Sequence, residues 1–405
     1  MIAAGFSQAR EQWNAEFRQE LIAIADWWLA YTLDDEQGGF YGEVSADNTP
    51  VKNASKGVIL NSRILWFFSE VAQCEPKPEY RKAAERAFHY IDCFFFDNEF
   101  GGVYWELDAL GQPLNTKKQG YAQAFTIYAL SSYYTLTNNA HALARALECF
   151  ELLQGKTIDH ERDGYWEAFT RTWGPMNDIR LSEKDLNFPK SQNTHLHILE
   201  AYTSLNKIHP TPEVSAALKY SIAMFDKYMI DKKTYHLRMF MDNNWNDFSP
   251  GFTYGHDIEA SWLIAKALES LNEPEYTQML MPHLVKIAEV TLREGIGEYG
   301  HVLDAYDFAS KNYSPDIVWW VQAEALVGFL FAYSESKQEQ YLRAAEKIWT
   351  FIKQYQIDKE GGEWLWFSAL DKPRAEPYYK VGFWKCPYHN GRAMIEATRY
   401  LNSVK

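Results

Sequence analysis

The segment Asp34-Asp-Glu-Gln-Gly-Gly-Phe-Tyr41 decides the fold, because it comes back along the chain. It returns as Asp97-Asn-Glu-Phe-Gly-Gly-Val-Tyr-Trp105 and as His160-Glu-Arg-Asp-Gly-Tyr-Trp166. Weaker copies are Asp231-Lys-Lys-Thr-Tyr-His236 and Glu294-Gly-Ile-Gly-Glu-Tyr299, and the last is Asp358-Lys-Glu-Gly-Gly-Glu-Trp364. With Gly38, Gly101, Gly164, Thr234, Gly297 and Gly361 as markers, the steps are 63, 63, 70, 63 and 64 residues. Six copies at one nearly constant period are the mark of a repeat architecture.

Each period holds two helix-like stretches. The odd ones run near 9–31, 79–97, 140–153, 212–229, 274–293 and 338–356. The even ones run near 57–72, 121–137, 193–207, 255–271, 315–333 and 387–402. Leu60, Ile64, Phe67 and Phe68 have the i, i+4, i+7, i+8 spacing of a buried helix face. Even stretches are apolar nearly all round, as in Ile59-Leu-Asn-Ser-Arg-Ile-Leu-Trp-Phe-Phe68, whereas odd ones such as Tyr80-Arg-Lys-Ala-Ala-Glu-Arg-Ala-Phe88 are amphipathic. That contrast describes an inner ring of helices wrapped by an outer ring. The expected fold is all-α: an (α/α)6 barrel of twelve helices in six hairpins, one domain over residues 1–405. Short β-hairpin-like turns such as Phe40-Tyr41 are expected between the helices. An open solenoid would also suit the period, but the inner helices differ strongly in their polar residues, which favours a closed ring.

Composition bounds the function. The 405 residues carry 40 Lys+Arg against 54 Asp+Glu, a net charge of −14 that opposes non-specific nucleic-acid or anionic-membrane binding. No run of about 18 apolar residues suggests a membrane span. The start of the chain lacks a basic segment followed by an apolar run, and the four cysteines are scattered. The expectation is a cytoplasmic enzyme with reduced thiols, monomeric by default. Aromatic residues make up 16%, including 15 Trp and 26 Tyr. Such polar-tipped rings serve cores and also make platforms for sugar C–H faces.

In a closed ring the inner helices all run the same way, so their N-terminal ends meet at one mouth. Reading those positions collects Arg63, Tyr121, Gln123, Asn193, His195, His197, Glu200, His256, Asp257 and Glu259. The tenth and twelfth helices add Trp319, Trp320, Gln322, Glu324, Trp384, Lys385, His389, Asn390 and Arg392. Polar groups on greasy helices need partners or a purpose. Arg63, among aliphatic residues, is expected to need an acidic or anionic partner. His256 and Glu259, three residues apart, share a helix face. His195 and His197 point to different faces, and neither HExxH nor a thiolate cluster is present, so no metal site is expected. Helical spacing leaves the choice between those two histidines open. Two imidazoles facing one carbon can remove a proton and return one, and an arginine can hold the enediolate that forms. Proton abstraction beside a sugar aldehyde follows. Glycoside hydrolysis by two carboxylates from Asp185, Glu259 and Glu324 is the rival reading, and non-catalytic sugar binding is a third.

Five motifs carry a resemblance: Lys56-Gly-Val-Ile-Leu-Asn-Ser-Arg-Ile-Leu-Trp-Phe67, Asn193-Thr-His-Leu-His-Ile-Leu-Glu-Ala-Tyr202, Tyr254-Gly-His-Asp-Ile-Glu-Ala-Ser-Trp-Leu263, Trp319-Trp-Val-Gln-Ala-Glu-Ala-Leu-Val-Gly-Phe329 and Phe383-Trp-Lys-Cys-Pro-Tyr-His-Asn-Gly-Arg392. In that order they resemble the N-acylglucosamine 2-epimerase superfamily, in its cellobiose 2-epimerase branch, from about Trp27 to Leu401. The resemblance implies cofactor-free epimerisation at C2 of the reducing-end sugar of a β-1,4-linked disaccharide. Mannose 2-epimerases, with free monosaccharides, and aldose–ketose isomerases are the alternatives. It implies His256 and His389 as the acid/base pair and His197, rather than His195, as an assistant at O1 or O5. Arg63 would stabilise the enediolate. Trp319 and Trp384 would wall in the sugars, and Tyr121, Asp185, Asn193 and Glu259 would hydrogen-bond hydroxyls. The His256–Glu259 spacing suggests that the carboxylate tunes its histidine. Where the branch has Met before Asn193, this chain has Gln192.

Overall fold

The computed structural model describes residues 2–370 and 378–403, with side chains from Arg10 onward. Twelve α-helices alternate between two rings. The inner ring is α2 (Val58–Cys74), α4 (Gly120–Thr137), α6 (Gln192–Ile208), α8 (Tyr254–Leu271), α10 (Trp319–Ser336) and α12 (Tyr388–Ser403). The outer ring is α1 (Ile2–Tyr31), α3 (Pro78–Tyr90), α5 (Ala140–Leu152), α7 (Pro212–Met224), α9 (Pro274–Glu294) and α11 (Glu339–Phe351). Each inner helix packs on the next, and α12 packs on both α2 and α1, which closes the (α/α)6 barrel and excludes the open solenoid. Inner helices bury both faces, as in α10, where nearly every residue from Trp319 to Tyr333 is buried. Outer helices bury one stripe, such as Tyr80, Ala83, Ala84, Ala87 and Phe88 of α3.

Helix ends follow local chemistry. Pro78, Pro212 and Pro274 open α3, α7 and α9, where a missing N–H costs nothing. Asn139 and Ser191 cap α5 and α6 with side-chain oxygens. Several boundaries differ from the sequence reading, among them the start of α1, which lies at Ile2 rather than near residue 9. α10 begins at Trp319 rather than at 315, because residues 315–318 approach it as extended chain. Outer helices expected to run on to 97, 229 and 356 stop earlier as α-helix and finish as a π turn (Ile91–Phe95, Phe225–Met229, Ile352–Gln356), as does α5 (Leu153–Thr157).

The six repeated turns each close with one antiparallel bridge: Leu33↔Phe40, Phe96↔Val103, Ile158↔Tyr165, Ile230↔Leu237, Ile296↔Val302 and Ile357↔Trp364. A second set of β contacts runs around the mouth. The residues before each inner helix pair with the loop of the next hairpin, at Lys56–Gly57 with Glu106–Leu107, Lys118–Gln119 with Ala168–Phe169, Lys190–Ser191 with Phe240–Met241, and Gly251–Thr253 with Ala305–Asp307. Val318↔Phe367 continues the set, and Val44↔Val381 ties the last hairpin to the first. Four loops are also braced by a buried ion pair between the turn aspartate and a lysine near the next inner helix. The pairs are Lys56–Asp34 (2.6 Å), Lys118–Asp97 (2.9 Å), Lys190–Asp159 (2.9 Å) and Lys380–Asp358 (2.7 Å). Among the described residues, no helix is long and apolar enough to cross a membrane.

Candidate active site

The first turns of the inner helices carry two kinds of polar residue, two positions apart. The first kind holds the repeated turns. Gln123 accepts from the Val103 N–H (3.0 Å) and donates to its carbonyl (3.2 Å), and Gln322 does the same to Val302. The Asp257 carboxylate accepts from the Leu237 N–H (2.8 Å). His195 Nε2 accepts from the Tyr165 N–H (2.9 Å), while Nδ1 bonds the Ser191 carbonyl (2.7 Å). Asn390 acts one step removed, through Glu363 Oε1, which also takes the Trp364 N–H. This contact explains the glycines of the motif. A Cβ on Gly102 would stand 2.7 Å from Gln123 Oε1, and one on Gly164 3.0 Å from His195 Nε2, both at positive φ. His195 is therefore a turn-holding residue, buried and held neutral, with its pKa pushed down to about 3 by burial. The geometry now separates it from His197.

Two positions further along, the six inner helices present Arg63, Phe125, His197, Glu259, Glu324 and Arg392. These form a connected floor. The Arg63 guanidinium lies 4.3 Å over the Phe125 ring, and Phe125 packs on His197 at 4.7 Å. Arg392 donates to Glu259 (2.6 Å), Glu324 (2.7 Å) and Glu200 (2.5 Å), and also bonds the Tyr388 hydroxyl. Glu200 Oε2 faces His197 Nδ1 at 2.9 Å and accepts from Tyr388 at 2.6 Å. Burial would raise the Glu200 carboxyl, but Arg392 and His197 outweigh it and bring it to about 2. Burial and neighbouring Glu324 instead push Glu259 up to about 7.

Above this floor lies a cavity of about 620 Å³, a size that suits a small-molecule site. The ten residues to which the family resemblance gives a role all line it: Arg63, Tyr121, Asp185, Asn193, His197, His256, Glu259, Trp319, Trp384 and His389. Trp320, Trp366, Tyr379 and Lys184 join them. The Trp320 ring lies 4.8 Å from His256 and 5.5 Å from His389, which places both imidazoles on one side of the cavity. His389 Nδ1 is 2.6 Å from Glu324 Oε1, and His256 Nδ1 is 2.6 Å from the Thr253 hydroxyl. Among the described residues, neither ring's Nε2 has a hydrogen-bond partner. Burial lowers the His256 pKa to about 3, with His197 adding to the effect. Burial, Arg63 and Arg392 hold His389 well below the usual histidine range. Both are neutral bases near neutral pH.

Three expectations are corrected. Arg63 has no carboxylate partner among the described residues. It donates to the Tyr121 hydroxyl (2.9 Å), touches Cys386 Sγ (3.8 Å), lies 4.5 Å over the Tyr388 ring, and its Nε has no acceptor. The acidic partner expected from its burial is replaced by aromatic faces, which leaves the charge available to the cavity. The expected His256–Glu259 pairing is not formed either. His256 turns to Thr253, and Glu259 turns to Arg392. Third, Glu324, a candidate hydrolytic carboxylate, does not line the cavity. It lies beneath, bound to His389, Arg392 and the Trp262 indole. Asp185 does line the cavity, with Oδ2 committed to the Ser182 backbone and hydroxyl. Gln192 sits beside the cavity, lining a separate water-sized void with Asn193 and His256, and its Oε1 has no partner.

Glu259, Glu324 and His389 offer atoms within 4.8 Å of one another, a spacing that could hold a cation. Arg392 Nη2 already bonds both carboxylates, so a guanidinium stands where the ion would go. Arg392 and Glu324 are the site residues whose weight the sequence understated. Arg392 lies three residues after His389, on the same helix face, which was the available signal.

The N-acylglucosamine 2-epimerase family model matches residues 39–389. Cellobiose 2-epimerase of Bacteroides fragilis is 40% identical over 382 residues, covering 94% of this chain and 97% of that one. The enzyme of the same name from Ruminococcus albus is 40% identical over 384 residues, with the same shares. The solved cellobiose 2-epimerase of Bacillus thermoamylovorans B4167 superposes with a TM-score of 0.90 at 37% identity, covering 96% of this chain and 99% of that one. Fold and sequence kinship thus agree, and the chain belongs to the N-acylglucosamine 2-epimerase family, whose members are carbohydrate-converting isomerases.

Proposed function

We propose that this protein is a 2-epimerase of β-1,4-linked disaccharides. It interconverts glucose and mannose configuration at the reducing end, turning cellobiose into glucosyl-mannose and accepting lactose, within a single catalytic domain. The observation that carries the reading is the pairing of two neutral, Nδ1-anchored histidines with an arginine that has no carboxylate partner, all lining one cavity. Kinship at about 40% identity to proteins named cellobiose 2-epimerase supports the disaccharide.

The chemistry follows from the geometry. His197, backed by Glu200, assists opening of the sugar ring at O1 or O5, and Glu259, titrating near neutrality, exchanges hydrogen bonds with the hydroxyls. In the open aldehyde the C2 proton is acidified by the adjacent carbonyl. One of His256 and His389 removes it, and Arg63 with the Tyr121 hydroxyl holds the enediolate oxygens. The histidines return a proton to C2 in the opposite configuration. Glu324 orients His389 and stabilises its imidazolium, the part a carboxylate plays behind a catalytic histidine. Trp319 and Trp384 wall in the sugars.

The test is incubation with cellobiose, lactose, mannose and glucose, followed by NMR of the products. Glucosyl-mannose carrying deuterium at C2 after reaction in D2O is expected. Fructose from mannose would make it an aldose–ketose isomerase, reducing-sugar release would make it a hydrolase, and unchanged cellobiose would make it a binding protein.

A further inference from the structure

The floor of the cavity has a second side. At the opposite end of the barrel a separate void of about 50 Å³ is lined by Glu200, Thr203, Ser204, Lys207, Arg392 and Glu396, among others. Glu200 divides the two spaces, because its Oε2 meets His197, which lines the reaction cavity, while its side chain also lines the rear void. Arg392 Nε is fully buried and has no acceptor among the described residues. A buried donor beside a polar void is where ordered water sits, and the volume admits one or two molecules at about 30 Å³ each. Lys266 completes the far wall. It lies 3.4 Å from Glu396, and its side chain is 20% exposed, so the void reaches solvent.

From two neutral rings, epimerisation leaves the base with an extra proton, and the other ring must be loaded with a proton before it can give one to C2. Both must be reset before the next turnover, and the sugar fills the mouth. Resting on the 2-epimerase reading, we propose that protons are exchanged with solvent through the back of the barrel, along His197, Glu200 and water held in the rear void. The proton on either imidazolium crosses the shared cavity through a sugar hydroxyl or water to His197 Nε2, and His197 releases its Nδ1 proton to Glu200 Oε2. The carboxyl passes a proton to rear water, which leaves as hydronium past Lys266, and Glu200 returns to its anionic form. The reverse sequence delivers a proton. Glu200, held as a strong acid by Arg392, is a conduit rather than a resting place.

The test fills the void without touching the reaction cavity. Ser204→Leu is expected to lower kcat about fivefold to tenfold with KM unchanged. It should also raise the H2O/D2O ratio of kcat, because proton exchange becomes rate-limiting. Ser204→Ala, which enlarges the void, should stay within about twofold of the parent. Should Ser204→Leu fail to fold, Thr203→Leu, which also adds volume at the void, carries the same expectation. A folded plugged variant with unchanged kcat and isotope ratio overturns the relay, as does a loss of kcat that leaves the isotope ratio unmoved. Parent protein that leaves all sugars unchanged would instead overturn the 2-epimerase reading.

Discussion

His195 and His197 stand two residues apart on α6, are equally buried, and do different things. His195 belongs to the tier that holds the turns, with Gln123, Asp257, Gln322 and Asn390. Both its nitrogens are spent on backbone groups. His197 belongs to the tier that floors the cavity, with Arg63, Glu259, Glu324 and Arg392, and only its Nδ1 is committed. The difference teaches that burial does not mark function on these helices. What separates the two histidines is that His195 spends both ring nitrogens on backbone groups, whereas His197 turns Nδ1 to Glu200 and lines the cavity.

The strongest break in that comparison is at the bases. His389→Asn and His256→Asn are each expected to lower epimerisation by about 10²–10⁴-fold while leaving the thermal unfolding profile close to the parent's. Either variant retaining a tenth of the activity would remove its histidine from the reaction. Next is the floor itself. Arg392→Met leaves Glu200, Glu259 and Glu324 buried without their shared cation, and urea denaturation should show a loss of about 3–5 kcal/mol. A change under 1 kcal/mol would mean that the three carboxyls are carried by other contacts.

Exchanging residues within tiers sharpens the contrast. His197→Gln is expected to reduce kcat about tenfold to a hundredfold with little change in stability. His195→Gln puts into α6 the residue that α4 and α10 use at the same position, and should keep activity within about twofold. His195→Leu orphans the Tyr165 N–H and should cost about 1–3 kcal/mol of stability, read by thermal or urea melts. A kinetic effect of His195→Gln larger than that of His197→Gln would invert the assignment.

The last expected effect is a slope. The pKa of His195 is lowered from 6.5 to about 3 in the folded protein, so the unfolded chain binds the extra proton first. Its contribution to stability is full above pH 6.5 and falls as pH drops toward 3. Stability of His195→Gln should therefore decline less steeply than the parent's between those limits. Parallel declines would show that His195 titrates alike in both states.

The barrel was legible in the sequence because the repeat repeats. The turn-holding Gln123 and His195 leave no room for a side chain at Gly102 and Gly164, and hydrophobicity alone separates inner from outer helices. Eight of the ten candidate residues reach one cavity for the same reason: once the helices are parallel, residues near their starts can only converge, and Asp185 and Trp384 join them from the loops before α6 and α12. What stayed hidden depends on direction and distance. Residues two apart on a helix point about 200° apart, yet sequence shows both as polar intrusions. Arg392 looked like one more charge until three carboxylates closed on it. Arg63 was expected to find a carboxylate and found aromatic rings, which no periodicity reports. The π turns after α3, α5, α7 and α11 leave no mark in the hydrophobic pattern, because five residues of either helix type bury nearly the same side chains.

The buried lysine–aspartate braces have a consequence for how such an enzyme can change. Three of them span 21 or 22 residues, at Lys118–Asp97, Lys56–Asp34 and Lys380–Asp358, but Lys190–Asp159 spans 31. The longer loop includes Leu181, Ser182, Glu183, Lys184 and Asp185, the stretch that overhangs the cavity. Both ends of that loop are fixed by the same ion pair that fixes the shorter ones, so its length is decoupled from the barrel. Descent can lengthen, shorten or rewrite the roof over the sugar one loop at a time, while the helices beneath keep their register.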